Sequence, residues 1–109
     1  MNKINNIDVL NLFRKLLWNL KNRRSMYIFD SKYMSLIHYI DGFNLAVKNI
    51  YSIDIISEFH AWLKTREHYK FSTHWGIYIL KYMSLENEKN AIENIFNLLE
   101  EFINEKLNV

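Results

Sequence analysis

The sequence predicts an all-α protein, a compact bundle of about five amphipathic helices in which residues 1–109 form a single domain. Three observations lead to this prediction. The chain has no proline and only two glycines, so it lacks the residues that break helices and shape the turns of β-sheet proteins. Half of the residues are hydrophobic, and they recur at helical spacing. A chain of 109 residues has the usual length of one domain and can bury a core without disulfides.

The spacing of the hydrophobic residues defines the elements in order. The predicted helices are about Ile7–Asn22, Lys32–Tyr51, Ser52 or Asp54 to Arg66, His74–Met83 and Leu85–Leu107, with a loop over Glu67–Phe71. Ser84 is the predicted cap of the last helix, and Ser72 or Thr73 that of the fourth. Gly42 lies within the second helix, where glycine costs about 1 kcal/mol relative to alanine. We therefore expect another helix to approach closely there.

A short segment between the first two helices, Ser25–Phe29, is predicted to be non-helical. It contains four consecutive apolar residues, which lack the alternation of a strand with one face in water. We expect Met26 and Tyr27 to hold this connector in the core.

Composition limits the chemistry and the location of the protein. The absence of cysteine excludes disulfides, thiolate metal sites and cysteine nucleophiles. No signal-peptide pattern follows Met1, and no apolar run approaches the ~20 residues needed to span a bilayer. We therefore expect a cytoplasmic protein with no membrane partner. The first 24 residues carry six cations and one carboxylate, whereas the last 25 carry six glutamates and two lysines. These two regions can attract each other or form two distinct faces.

Arg66, His68 and His74 are the residues that suggest catalysis. An arginine and a histidine can stabilise a scissile phosphate and move a proton, and helical ribonucleases of the HEPN class use such a pair at a closer spacing. Here seven residues separate Arg66 from His74, and they include a predicted loop. A polar surface loop is the alternative interpretation. We therefore assign no catalytic residue, and a small helical ribonuclease stays an alternative function.

Metal and nucleic-acid sites are not indicated by the sequence. The four histidines lack the spacing of a helical zinc or di-iron site, so no metal or other cofactor is expected. The only basic cluster, Lys21 with Arg23 and Arg24, is too short to predict a nucleic-acid partner. Aromatic residues make up 16% of the chain, and tyrosine and tryptophan are favoured at protein interfaces. The composition therefore favours a protein-binding function, with self-association as one form of it.

Short motifs between residues 10 and 103 follow one another in a suggestive order. The first is Arg23-Arg24-Ser25-Met26-Tyr27-Ile28, similar to R-P-x-M-Y-I/L with Arg24 in place of proline. Leu36, Ile40-Asp41-Gly42-Phe43 and Ala46 follow, then Phe59-His60-Ala61-Trp62-Leu63. Ser72-Thr73-His74-Trp75 with Ile79 comes next, and Ala91, Phe96 and Leu98-Leu99-Glu100-Glu101-Phe102 close the series. This order resembles small all-helical bacterial immunity proteins of polymorphic toxin systems, including contact-dependent growth inhibition.

The resemblance implies a non-enzymatic inhibitor that binds the C-terminal domain of a cognate toxin in the cytoplasm and blocks its active site. Such toxins are often nucleases with basic clefts, which acidic residues and aromatic anchors would fit. The candidate toxin-binding residues are Asp30, Asp54, Glu58, Glu67, Glu86 and Glu88, with the aromatic residues Tyr33, Trp62 and Tyr69. Each acid has a second interpretation as a helix cap or a solvated side chain. A helical ribonuclease and a self-associating regulatory module are the alternative functions.

The predicted core can be tested in the last helix. Replacing Phe96 with alanine is expected to lower the free energy of unfolding by about 3–5 kcal/mol, because it removes a large buried side chain. Urea denaturation of the two proteins measures the difference. A variant that unfolds like the wild type would contradict the predicted register of this helix.

Overall fold

The computed structural model describes residues 5–69 and 73–108, and within these ranges the chain forms five α-helices and no β-strand. The helices are α1 (Asn6–Asn22), α2 (Tyr33–Tyr51), α3 (Ile55–Glu67), α4 (Trp75–Tyr78) and α5 (Glu88–Leu107). A 3₁₀ turn, Arg24–Met26, follows α1, and a π-helical turn, Ile79–Met83, continues α4. The prediction of an all-α bundle is confirmed. None of these helices is long and apolar enough to cross a membrane.

Helix α5 lies at the centre of the packing, and it contacts α1, α2, α3 and the π-helical turn. Its buried residues recur at helical spacing: Ala91, Ile95, Phe96, Leu98, Leu99, Phe102 and Ile103. Aromatic rings join α5 to its neighbours. The ring of Phe59 on α3 meets those of Trp75 and Phe102 edge-on, with both centroid distances at 5.6 Å. One aromatic side chain therefore joins α3, α4 and α5.

The first and third helices begin at side-chain caps. The side chain of Asn5 accepts a hydrogen bond from the backbone N–H of Asp8 (3.0 Å), and the Asp8 carboxylate accepts one from that of Asn5 (3.2 Å). Asp54 caps α3 by accepting a hydrogen bond from the backbone N–H of Ser57 (2.9 Å). Each cap satisfies a backbone donor that has no partner within its own helix.

Helix α5 begins three residues later than predicted, because Asn87 is its cap. The Asn87 side chain accepts a hydrogen bond from the backbone N–H of Asn90 (2.9 Å). Ser84, the predicted cap, is buried instead, and its hydroxyl accepts a hydrogen bond from the Asn94 side chain (2.8 Å). Both residue types cap helices well, so sequence alone could not choose between them.

The connector after α1 buries a different side chain from those predicted. Met26 is 74% exposed and Tyr27 is also exposed, whereas Ile28 is buried and Phe29 is fully exposed. The 3₁₀ turn reverses the chain so tightly that only one of these four apolar residues faces the core. The prediction that Met26 and Tyr27 are buried was therefore wrong.

The fourth helix is irregular. Its predicted span, His74–Met83, divides into one α-helical turn and one π-helical turn, and its cap is His74 rather than Thr73. The imidazole Nδ1 of His74 accepts a hydrogen bond from the backbone N–H of Gly76 (3.0 Å). Ser72, the other predicted cap, and residues 70–71 of the predicted loop lie outside the described residues.

The two glycines have different environments, and the expectation for Gly42 was wrong. Gly42 is exposed, and a Cβ built there would meet nothing within 4 Å. Gly76 is the glycine at a close approach: a Cβ there would lie 2.7 Å from Cδ1 and 3.0 Å from Cγ1 of Ile37, a fully buried residue of α2. Gly76 therefore allows α4 to pack directly against α2.

This difference predicts opposite effects of the same substitution. Gly42→Ala is expected to stabilise the protein by about 1 kcal/mol, since alanine has the higher helix propensity. Gly76→Ala is expected to destabilise it by about 1–3 kcal/mol, because the new methyl group overpacks Ile37. Thermal denaturation of both variants measures the two changes. A stabilising Gly76→Ala would disprove the close packing of α4 on α2.

Candidate functional site

Two of the three residues that suggested catalysis, Arg66 and His74, contact different partners. The guanidinium of Arg66 on α3 forms a salt bridge with Glu101 on α5 and lies over the ring of Trp62, 5.2 Å from its centroid. His68 ends α3 in the left-handed conformation with φ 55°, and it is exposed. The salt bridge between Arg66 and Glu101 joins α3 to α5 at the surface of the bundle.

His74 is held by hydrogen bonds at both ring nitrogens. Its Nε2 lies 2.7 Å from Oδ2 of Asp41 on α2, while its Nδ1 accepts the hydrogen bond from Gly76. The other oxygen of Asp41 accepts a hydrogen bond from the indole N–H of Trp75 (3.0 Å). This pattern requires the proton of a neutral His74 to be on Nε2, where it is donated to Asp41. Asp41, His74 and Trp75 thus fasten the start of α4 to α2.

Metal-binding side chains do not cluster in the part of the chain that the structure describes. No group of three or more histidine, aspartate or glutamate side chains there has the geometry to hold a metal ion.

The three aromatic candidates for toxin binding form internal contacts in the free protein. Tyr33 is fully buried, and its hydroxyl donates to the carbonyl of Gly76; burial raises its pKa above the ordinary value. Tyr69 is buried and stacks on Tyr78 with the centroids 3.7 Å apart, and burial raises its pKa to about 12. Trp62 is half-buried, and its indole N–H donates to Glu105 (3.0 Å).

Asp54 is a structural residue as well as a candidate for binding. Besides capping α3, it accepts a hydrogen bond from the side chain of Asn44 (2.9 Å) and lies 3.5 Å from the ammonium of Lys48. Partial burial raises the pKa of Asp54. The hydrogen bonds from Asn44 and Ser57 and the charge of Lys48 outweigh this effect, so the pKa lies below its ordinary value.

Two other acidic candidates lie on α3. Glu58 is exposed in its first turn, and Glu67 is half-buried at its end, where it lies 3.8 Å from Nε of Arg66. The structure places them at opposite ends of a 13-residue helix, so they do not form one cluster.

The remaining three acids lie in two segments that meet at one end of the bundle: Asp30 precedes α2, and Glu86 and Glu88 lie at the start of α5. Here the chain leaves α1 and begins α2, and here α5 also begins. We call this surface, residues 24–32 and 84–88, the loop end. Glu88 joins its two segments, because its carboxylate accepts a hydrogen bond from the backbone N–H of Tyr33 (2.9 Å), at the start of α2. Asp30 accepts one from the backbone N–H of Lys32 (2.9 Å). This hydrogen bond, with a second from Ser35, lowers the pKa of Asp30.

The loop end also presents large apolar side chains to solvent. Met26, Phe29 and Leu85 are all largely exposed, with 87% of Leu85 accessible. Next to them, a groove of about 440 Å³ lies between the segment 24–32 and the first turns of α5, and it is lined by Arg24, Ser31, Lys32, Glu88, Lys89, Ile92 and Glu93. Sequence reasoning did not select these three apolar residues. The available signal was the unbroken apolar run from Met26 to Phe29, which is too dense for every member to face the core.

The turn that carries Leu85 is strained and hydrogen-bonded. Leu85 and Glu86 both have positive φ, 50° and 63°, a conformation that costs a residue with a side chain roughly 1 kcal/mol or more. The turn is held by the backbone N–H of Glu86, which donates to the carbonyl of Leu80 (2.8 Å), and by that of Asn87, which donates to the carbonyl of Ser84 (2.9 Å). An exposed leucine is thus fixed in a conformation that leucine rarely adopts.

The structure is thus a helical bundle in which one end exposes large apolar side chains together with charges of both signs, three acids and the cations Arg24 and Lys32. Comparison with known proteins found no match for this chain among protein-family models, curated proteins or solved structures.

The lowered pKa of Asp54 predicts how its contribution to stability depends on pH. A carboxylate with a lowered folded-state pKa stabilises the protein above its unfolded-state pKa of about 3.9, and this contribution is lost as the pH falls through the folded-state value. Asp54→Ala is therefore expected to cost about 1 kcal/mol at pH 7 and less at low pH. Urea denaturation at several pH values measures this difference. A cost that stays constant down to pH 3 would contradict the charge contribution.

Proposed function

We propose that this protein is an immunity protein that binds the C-terminal domain of a cognate bacterial toxin and inhibits it, with the loop end as its contact surface. The observation that carries the proposal is the exposure of Met26, Phe29 and Leu85 beside the carboxylates of Asp30 and Glu86. Large apolar side chains with a charged surround are typical of the centre and rim of protein interfaces.

The apolar residues supply the affinity in this proposal. Full burial of one such side chain contributes roughly 1.5–3 kcal/mol, so three of them provide a substantial part of the binding free energy of a stable complex. The backbone of two of the three is fixed before binding: the 3₁₀ turn holds Met26, and the hydrogen-bonded turn holds Leu85. A fixed backbone loses little conformational entropy on association, which favours tight binding.

The acidic residues supply orientation and a fast association rate. Asp30 and Glu86 are exposed, so both can face a basic surface such as the substrate cleft of a nuclease toxin. Glu88 is less available, because its carboxylate already accepts the backbone N–H of Tyr33. Inhibition follows if the loop end occupies the cleft and excludes the substrate.

The motif order is the second ground for the proposal. Its first motif, Arg23–Ile28, coincides with the turn that exposes Met26 and Tyr27. This motif therefore contains exposed residues of the loop end, whereas the other motifs consist mainly of core residues. The ring of Tyr27 lies edge-on to that of Tyr39 of α2, with the centroids 6.0 Å apart. This contact packs the turn against α2.

A capture experiment with matched variants tests the proposal. The tagged wild type is expected to retain the C-terminal domain of a large secreted toxin from host cells. The triple variant Met26→Ser, Phe29→Ser and Leu85→Ser is expected to lose at least about 90% of it, since it lacks the apolar contacts. Mass spectrometry identifies and quantifies the partner. Leu45→Ser with Ile50→Ser is the control, because both are exposed apolar residues of α2, and Leu45 lies about 18 Å along the helix from its start.

The captured domain is then expressed in bacterial cells with each form of the protein. The wild type and the control are expected to restore growth, whereas the loop-end variant fails to do so although its thermal denaturation is close to that of the wild type. Retention of the domain by the loop-end variant would disprove the loop end as the contact surface. A captured domain that is harmless to cells, or capture of the protein itself alone, would contradict the immunity function.

A further inference from the structure

A second surface, the outer face of α1, combines positive charge with an exposed tryptophan. We define the α1 face by Arg14, Lys15, Trp18 and Arg23. Trp18 is 54% exposed, and Arg23 lies over its ring, 5.5 Å from the centroid. The α1 face is distinct from the residues proposed to bind the toxin.

Trp18 lies between two depressions of the surface. The first, about 400 Å³, follows the boundary between α1 and α5 and has Leu17 and Ile103 in its floor. The second, about 470 Å³, lies on the other side of the ring and is lined by Leu12 and Lys15. Arg14 borders both. An extended segment bound across Trp18 could therefore place one apolar side chain in each depression and an acidic side chain next to Arg14.

Within the part of the chain that the structure describes, the cations of the α1 face lack carboxylate partners. Among residues 5–69 and 73–108, none of Arg14, Lys15 and Arg23 forms a salt bridge. The guanidinium of Arg14 instead donates to the neutral side chain of Asn104 (3.3 Å). The neighbouring Lys21 differs, because it pairs with Glu100 at 3.3 Å. The α1 face therefore retains positive charge that an acidic partner would neutralise.

The charges of the whole chain are also distributed unevenly along the sequence. Residues 1–24 contain six cations and one carboxylate, whereas residues 25–109 contain eight cations and eleven carboxylates. The net charge of the bundle is small, but residues 1–24 form a basic region. This region attracts acidic partners.

We propose that the α1 face binds an acidic protein segment, whose carboxylates pair with Arg14 and Lys15 and whose apolar side chain packs on Trp18. A protein segment fits better than a nucleic acid. Glu100 and Asp8 line the same depressions, so cations and carboxylates alternate there. A protein segment can place its acids opposite Arg14 and Lys15 alone, whereas the evenly charged backbone of a nucleic acid would also bring phosphates next to the two carboxylates. One exposed ring also offers a single stacking platform, where single-stranded nucleic acids use several in succession. This binding does not require the toxin proposed above.

A titration of the full ¹⁵N-labelled chain with a defined probe tests this inference. The probe is a synthetic peptide in which pairs of glutamate alternate with single phenylalanines. The chain has three tryptophans, and the indole N–H signal of Trp18 is assigned with Trp18→Phe. We expect a saturable shift of this signal at low salt. The indoles of Trp62 and Trp75 donate to Glu105 and Asp41, so their signals serve as internal references and stay unchanged.

Charge variants identify the contacts. Arg14→Ser with Lys15→Ser is expected to weaken the peptide about fivefold or more, because two ion pairs are lost. Lys81→Ser with Lys89→Ser removes the same charge from exposed positions outside the α1 face and is expected to leave the affinity nearly unchanged.

Three outcomes would overturn the inference. The first is an unshifted Trp18 signal at saturating peptide. The second is equal binding of a peptide with lysine in place of glutamate. The third is a shift caused by oligothymidylate of equal charge but not by the acidic peptide, which would identify a nucleic-acid site instead. Each leaves the proposed toxin binding untouched, because that proposal is tested by loop-end variants with an intact α1 face.

Discussion

The arrangement of the bundle depends on the burial of Tyr33 at the start of α2. Its hydroxyl donates to the carbonyl of Gly76 in α4, and its backbone N–H donates to the carboxylate of Glu88 in α5. One residue of α2 thus contacts two later helices, at positions 43 and 55 residues further along the chain. The contact also requires α4 to lie close to α2, which is possible because Gly76 has no side chain to displace Ile37. The loop end is fixed by the same contact, since Glu88 and the segment before Tyr33 belong to it.

Much of the fold follows from the sequence because helical periodicity is a local property. The apolar stripe of α5 is an example: Ile95, Phe96 and Leu99 were predictable from spacing alone, and all three are buried. The connector was not predictable in this way. Four apolar residues from Met26 to Phe29 have no period, and the 3₁₀ turn that selects Ile28 for the core depends on the geometry of the chain after α1. The π-helical turn after α4 gave no recognisable sequence signal.

The candidate site was harder to predict, because residue type does not reveal the partner of a side chain. Asp54 and Glu88 both appeared as acids near helix ends. Asp54 caps its own helix, while Glu88 accepts a hydrogen bond from the start of a helix 55 positions away in the sequence. Likewise, Tyr33 and Tyr69 have the residue type of interface anchors but are buried. Sequence reasoning selected residues by their chemistry, whereas the fold decides which of them remain accessible.

The strained turn at Leu85 and Glu86 lies within the surface proposed to bind the partner, and it affects stability at the same two positions. Glycine would adopt these backbone angles without strain, so a chain optimised for stability alone would favour it at both. The leucine therefore makes the free protein less stable while it keeps an apolar side chain in contact with water. Variants found by screening for heat resistance are expected to accumulate at this turn, and such a screen would select against the surface proposed to recognise the partner.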